Sequence, residues 1–434
     1  MKRFFYPVIF WLVLTQVLHA SPALPIEHWK TPEGTPVAFY PAMEVPMLDI
    51  NIAFYAGSAY DGQKYGISAL TAELLNQGSQ ELDANTIADR LARVGAQYDT
   101  ESSRDSMIIK LRTLSEPNAL QEALGILTQI LSHPVFPDAA FNREKNKQLL
   151  SIRQVEESPE AMANQTFFQA LYQNHPYAHP LDGTLKTVEA ITVNDVKQFY
   201  HQFVVAKNAV IVIVGAIDTP TAQKISHQLM AALPKGNKAP SIPDAKLLSE
   251  EINIEVPFVS TQTMVRIGQL SIHHNDPDYF PLVVGNHILG GGNLISILAT
   301  ELREKRGLTY GVYSQFSHLT GLGPFMISFS TEQTQARSAE NLARKLLEQF
   351  IQTGPSPAEL KAAKKYLTGS FPLSIASNQN MAHILLSMLF YGLPDNYLET
   401  YVQSIQAVTA QHIQKAFKTH INPARLLSVT VGKT

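Results

Sequence analysis

Apolar positions along the chain switch between two periods, and the switches mark out its elements. "MLDINIAFYAGSA" (47–59) and "QTMVRIGQLSI" (262–272) read as strands. Helical spacing governs 83–94, 117–132 and 138–156 in the first half of the chain, and 335–352 and 357–368 in the second.

The pattern also repeats. "LKTVEAITVNDVKQFYHQFVVAKNAVIVIVG" (185–215) aligns without a gap on "VQSIQAVTAQHIQKAFKTHINPARLLSVTVG" (402–432), so that Ala190 meets Ala407, Thr192 meets Thr409 and Gly215 meets Gly432. Each copy opens a helix at a Thr suited to N-capping. The helix sets Val196, Phe199 and Tyr200, or Ile413, Ala416 and Phe417, on one face. Each copy then ends in an alternating strand, in which Val210, Val212 and Val214 correspond to Leu427, Val429 and Val431. A repeated unit of helix, turn and strand predicts two homologous halves. The three prolines of "PKGNKAPSIPDAK" (234–246) mark the linker between them. The expected fold is α+β, with an antiparallel sheet backed by helices in each half, spanning 24–235 and 247–434 around a linker at 236–246.

Composition narrows the function. With 45% hydrophobic and 16% charged residues over 434 positions, the chain can bury large cores, and disorder is excluded. Lys2 and Arg3 precede an apolar run from Phe4 to about Val17, the layout of a secretory signal over 1–20 with cleavage near Ala20 or Ala23. A periplasmic or secreted protein of the bacterial envelope is therefore expected. No later stretch is apolar for long enough to give a stable membrane span. The absence of cysteine rules out a disulfide framework and thiolate chemistry, so a metal would need His and carboxylate ligands. Net charge is −3, or −5 without Lys2 and Arg3, and no basic stripe with interleaved aromatics is present, so nucleic acid is not a partner.

Candidate chemistry centres on "AGSAYDGQKYGISALTAELLNQGS" (56–79). A strand, a Gly-Ser-x-x-Asp turn and a helix closing on Gly-Ser resemble the pitrilysin/insulinase family of zinc peptidases, in the branch with mitochondrial processing peptidase. The resemblance spans nearly all of the mature chain and implies a clamshell of two peptidase-like halves. In the family this helix bears H-x-x-E-H, in which imidazoles at i and i+4 share one zinc and the Glu polarises the attacking water. Here those positions carry Ala69, Ala72 and Glu73. Alanine has no donor atom, and one carboxylate does not hold zinc when catalytic sites use three protein ligands. The family's further Glu ligand would fall around Leu149 to Ser151 in "EKNKQLLSIRQVEESPE", where there is no carboxylate; Glu156 and Glu157 lie too near the turn at Pro159 to replace it.

The second half matches the family's C-terminal signature in "HILGGGNLISILATELREKRGLTYGVYS" (287–314). The resemblance implies substrate contact by Gly290, Gly291 and Gly292. It also implies that Arg303 and Tyr310 reach a substrate beside a zinc held by another chain, stabilising charge on the scissile carbonyl. The tripeptide fits neither phosphate-binding spacing, so no nucleotide is expected. His175 and His179, separated by Pro176, and the neighbours His273 and His274 are expected to be surface histidines. The expectation from the whole sequence is a non-catalytic subunit that binds no cofactor itself. It would form a heterodimer with a zinc-binding H-x-x-E-H chain and act on a peptide substrate. The alternatives are an inert peptide-binding or scaffold subunit, and an active zinc peptidase with relocated ligands.

Overall fold

The computed structural model describes residues 24–432; the leader expected over 1–20 lies outside the described residues. In chain order the first half contains β1 (Glu27–Lys30), β2 (Pro36–Pro41), β3 (Met47–Phe54), α1 (Ile67–Leu74), α2 (Ala84–Arg93), β4 (Gln97–Ser102) and β5 (Met107–Leu114). It continues with α3 (Pro117–Ser132), α4 (Asp138–Glu156), α5 (Pro159–Tyr172), α6 (Leu185–Ala190), α7 (Val193–Phe203), β6 (Ala209–Gly215) and α8 (Thr219–Ala231). Residues 234–248 carry no helix or strand. The second half contains β7 (Ile252–Pro257), β8 (Gln262–Ile272), α9 (Tyr279–Asn286), β9 (Val312–Phe316), β10 (Gly323–Glu332) and α10 (Ala336–Thr353). It closes with α11 (Pro357–Ser374), α12 (Asn378–Tyr391), α13 (Tyr397–Ala407), α14 (Ala410–His420) and β11 (Leu427–Gly432).

Local chemistry sets the boundaries. Glu116 accepts from Ala119 N at 2.9 Å ahead of Pro117, whose fixed φ suits the first helical position of α3. The repeat reproduces itself at the level of caps. Thr192 and Thr409 each close a capping box, and the strand that follows ends at Gly215 or Gly432.

The strands form two sheets, ordered β1-β2-β6-β3-β5-β4 and β7-β11-β8-β10-β9. Each is antiparallel except where the repeat strand meets its outer neighbour, β2 with β6 and β7 with β11. "AVIVIVG" of β6 is apolar on both faces, and a strand of that kind needs cover on both. One face of the first sheet, with Ile50, Ile52, Ile211 and Ile213, packs on α1, α3, α7 and α8 through Leu70, Ile126, Phe199 and Leu229. The other face, with Ala38, Ala53, Val210 and Val212, is covered by Met381, Leu385 and Leu386 of α12, a helix from the second half of the chain.

The arrangement is reciprocal. Leu270, Met326, Val429 and Val431 of the second sheet pack against Phe167 and Leu171 of α5, a helix from the first half. The opposite face buries Val265, Ile267 and Ile327 under α10 and α14. Each half thus lends a helix to the core of the other, which fixes the clamshell. Asp105 adds a polar strut between them: it accepts from the Tyr177 hydroxyl and from Thr320 N, the latter at 2.8 Å. Burial pushes the Asp105 carboxyl above its ordinary range against those bonds. Among the described residues no helix is long and apolar enough to cross a membrane.

Candidate functional site

The turn before α1 is built to hold that helix in place. Asp61 is buried and its two carboxylate oxygens accept from Gly66 N at 2.6 Å and Ser68 N at 3.1 Å. Desolvation raises the Asp61 pKa well above the ordinary carboxylate range, and the two amide bonds oppose that rise. Gly66 caps the helix at φ 95°, and a Cβ there would fall 2.4 Å from Asp182 O and 2.7 Å from Gln148 Nε2. Only glycine permits both the left-handed backbone and the close approach of α4.

Between α1, β4 and α4 lies a cleft of about 310 Å³ lined by Ala69, Ala72, Glu73, Thr100, Ser102, Glu144, Lys147, Gln148, Ser151 and Asp182, among others. Lys147 Nζ lies 3.0 Å from Glu73 Oε2 and 3.6 Å from Glu144 Oε2. Gln148 Nε2 donates to Gly66 O at 3.0 Å and to Asp182 O at 2.8 Å, tying α4 to the start of α1. The hydrogen bond to Glu73 and its charge push the Lys147 pKa up. Burial and then the Glu73 charge raise that of Asp182, against a hydrogen bond from Ser151.

The donors present do not fit the zinc that the motif's frame implies. Ala69 and Ala72 offer methyl groups, Glu73 is engaged by a cation, and Ser151 stands in the window where a carboxylate ligand was expected. Of that window only Ser151 faces the cleft; Leu149 packs against the first-half core and Leu150 is exposed. Sequence reasoning missed Glu144, Lys147, Gln148 and Asp182. The i, i+3, i+4, i+7 spacing of 144, 147, 148 and 151 was the available signal for the first three. Asp182 arrives from a distant loop and left none.

In the second half, Gly290 and Gly291 lie in a π-helical turn (His287–Gly291) that continues α9, and Gly292 ends it. A Cβ at these positions would fall 2.5 Å from Ser314 Oγ, 2.7 Å from Asn286 Nδ2 and 2.6 Å from His287 O respectively. Backbone therefore crowds Gly290, through Ser314 N at 2.7 Å, and Gly292, so packing needs glycine at both, whereas at exposed Gly291 the nearest atom is the end of the Asn286 side chain. The surface of this segment is instead presented by Gly291, Asn293, Leu294 and Ile295. His287 beneath it is buried, its ring stacked on Tyr366 with centroids 4.8 Å apart, and its Nε2 has no partner.

Arg303 sits in a second π-helical segment, Ala299–Glu304. It is exposed and has no ion-pair partner among the described residues; Glu301 of the same segment pairs with Lys305 at 2.7 Å and Arg306 at 2.5 Å. Tyr310 is 86% exposed. Neither residue lines the cleft of Ala69, Ala72 and Glu73.

Of the paired histidines, His175 and His273 keep partly exposed positions, whereas His179 and His274 depart from the expected surface placement. His179 stacks on Tyr65 at 4.1 Å and contacts Ser58 O at 3.0 Å through Nε2, and burial lowers its pKa. His274 stacks on Tyr391 at 4.5 Å. His175 contacts Pro243 O at 2.7 Å, and His273 pairs with Asp244 at 3.3 Å.

Comparison with known proteins agrees with this architecture. Residues 44–185 match the family model described as insulinase (peptidase family M16), and residues 190–367 match the one described as peptidase M16 inactive domain. A crystal structure described as a peptidase M16 inactive domain from Pseudomonas fluorescens superposes with a TM-score of 0.92 at 35% identity, over 95% of this chain and 99% of that one. The non-peptidase homolog YmxG of Helicobacter pylori is 28% identical over 393 residues, 89% of each chain. A chain of Complex III2 from Candida albicans shares the fold at 18% identity and a TM-score of 0.78, covering 94% of this chain and 95% of that one.

Proposed function

The chain belongs to peptidase family M16, and from that premise we propose that it is an exported, non-catalytic subunit that completes a zinc peptidase by pairing with a family member bearing H-x-x-E-H. One contrast carries the reading. The cleft that would hold metal is lined by alanines and a Lys147–Glu73 pair, whereas Arg303 and Tyr310 are exposed and have no ion-pair partner among the described residues. The partner supplies the zinc and the general base. This chain supplies Arg303 and Tyr310 to the developing charge on the scissile carbonyl, and the exposed tip at Leu294 and Ile295 as an apolar contact for the peptide.

The peptide is held in extended form as a strand added to a sheet edge, a mode that gives affinity through main-chain pairing without strict sequence preference. In this chain β4 is an outer strand of the first sheet and its Thr100 and Ser102 line the degenerate cleft, so the edge beside the zinc is the corresponding strand of the partner. On β9, by contrast, Asn286 Nδ2 already occupies the Ser314 carbonyl at 3.0 Å.

The first test is to purify the tagged mature chain gently from its native envelope and identify co-purifying chains by mass spectrometry. A similar-sized chain with H-x-x-E-H in near-equal amount is expected. Recovery of the protein alone would remove the main support for a catalytic partner. In that complex Arg303→Ala should cut peptide turnover strongly without weakening the pairing, and unchanged turnover would refute its role. The shared fold with a Complex III2 chain favours a second reading, a scaffold subunit with no catalytic partner. In that case the complex recovered would contain no H-x-x-E-H chain.

A further inference from the structure

We propose that Asp276, Asp278 and His420 bind a divalent transition-metal ion at a site separate from the degenerate cleft. Among the described residues these form the group of His, Asp or Glu side chains whose ligand atoms all lie within 4.8 Å of one another. His420 Nε2 is 3.0 Å from Asp278 Oδ2 and 3.6 Å from Asp276 Oδ1. Tetrahedral ligands at zinc distances of about 2.0–2.2 Å stand about 3.3 Å apart, between those two values. The imidazole thus stands at ligand spacing from both carboxylates, and the two carboxylates lie within 4.8 Å of each other.

Two further observations point to a cation here. Asp278 is the N-cap residue of α9, yet its side chain makes no capping hydrogen bond; it is turned to His420 instead. N-cap carboxylates ordinarily accept from the first helical amides, so this one forgoes a stabilising role. In addition, neither Asp276 nor Asp278 has a Lys or Arg within 4.0 Å among the described residues. Two carboxylates converge on one ring nitrogen, whose single N–H can serve only one of them at a time, while Asp276 Oδ1 also accepts from Asp278 N. A doubly charged ion satisfies both.

The mixed nitrogen and oxygen donors favour zinc and its neighbours over calcium, which takes six to eight oxygens. The supporting structure is present as well. Gln269 donates to His420 O at 2.8 Å and accepts from Asn422 N at 3.1 Å, fixing the backbone around the imidazole. Asp276 Oδ1 accepts from Asp278 N at 2.8 Å, which fixes one carboxylate relative to the other. The side chains keep 14 to 35% of their exposure, so an ion has an entry path. The bound ion would join the end of α14 to the start of α9, the helix that runs into the glycine-rich turn.

The test is calorimetric titration of ZnCl2 into the chelator-stripped mature chain, with visible absorption of added Co²⁺ as a second readout. One equivalent is expected, with a rise in melting temperature. His420→Gln and the near-isosteric Asp276→Asn should each weaken binding at least tenfold while retaining the far-ultraviolet circular dichroism of the parent. Lys147→Met, in the cleft, should leave it unchanged. Absence of a saturable equivalent overturns the proposal. So does an equivalent that survives both site substitutions, or one that responds to Lys147→Met. None of these outcomes depends on whether a peptidase partner exists.

Discussion

Once ligands are restored to the cleft, Lys147 is the group that opposes zinc there, and its effect can be measured by rebuilding the site around it. Ala69→His, Ala72→Glu and Glu73→His restore the motif, and Ser151→Glu adds a carboxylate from α4. The cleft of about 310 Å³ has room for the larger side chains. In this background the Lys147 ammonium, which reaches within 3.0 Å of the side chain at 73, faces a dication instead of a carboxylate. At about 4 Å the repulsion between single and double charges is about 8 kcal/mol at an effective dielectric of 20 and about 2 kcal/mol in water. The Lys147 side chain is 69% exposed and can swing outward, so the smaller value applies. Lys147→Met should therefore tighten zinc binding by about 30-fold, at 1.4 kcal/mol per tenfold. Both rebuilt proteins would carry His420→Gln, so that titration reports this cleft alone. Equal affinities with Lys and Met at 147 would refute the reasoning, because they would mean that the cation does not lie near the restored ligands.

Phe167→Ala removes a fully buried ring of α5 from the second sheet and should cost about 3–5 kcal/mol in denaturant unfolding; a loss under about 1 kcal/mol would mean that α5 does not hold the halves together. His274 and His318 predict acid sensitivity, since burial pushes both imidazoles down to about 4, and the charge of His318 adds to the effect on His274. The unfolded chain takes up these protons near pH 6.5 and the folded chain only near pH 4, so stability present above pH 6.5 is lost as the pH falls toward 4. A His274→Asn, His318→Asn variant should show a flatter melting temperature across that window than the parent. Parallel curves would exclude these residues as the cause.

Much of the fold was legible because its determinants are local. α3 and α4 occupy 117–132 and 138–156, as the apolar period indicates, and the gapless alignment of 185–215 on 402–432 reappears as matched capping boxes and strands. The exchange of α5 and α12 between the halves was not legible. Apolar residues at helical spacing state that a helix is buried, but not which sheet buries it. The cleft divides in the same way. The loss of metal donors at Ala69 and Ala72 is a statement about residue types, which sequence supplies, while the occupation of the space by Lys147 and Gln148 depends on how α4 crosses α1. The three glycines were assigned to substrate by resemblance, and only the contacts at Ser314 and His287 reveal the packing that requires Gly290 and Gly292.

The repeat explains how the cleft keeps its shape with alanine at Ala69 and Ala72. The offset that carries Ser158, the cap of α5, onto Ser377, the cap of α12, also carries Lys147 of α4 onto Tyr366 of α11. Aligning "ELLNQGS" on "HILGGGN" carries Glu73 onto His287. The two halves therefore place corresponding residues at one helix contact and join them by different chemistry. In the first half it is an ion pair at 3.0 Å; in the second it is a ring stack at 4.8 Å. An exposed pair such as Glu73 and Lys147 contributes only about 0.2–1 kcal/mol, too little to position α1 alone. Asp61, Gly66 and Gln148 do that through buried hydrogen bonds to the first turn of the helix. Those bonds use none of the three positions of the family's metal motif, so Ala69, Ala72 and Glu73 can differ from H-x-x-E-H without loss of the helix, and the M16 fold does not depend on the ligands.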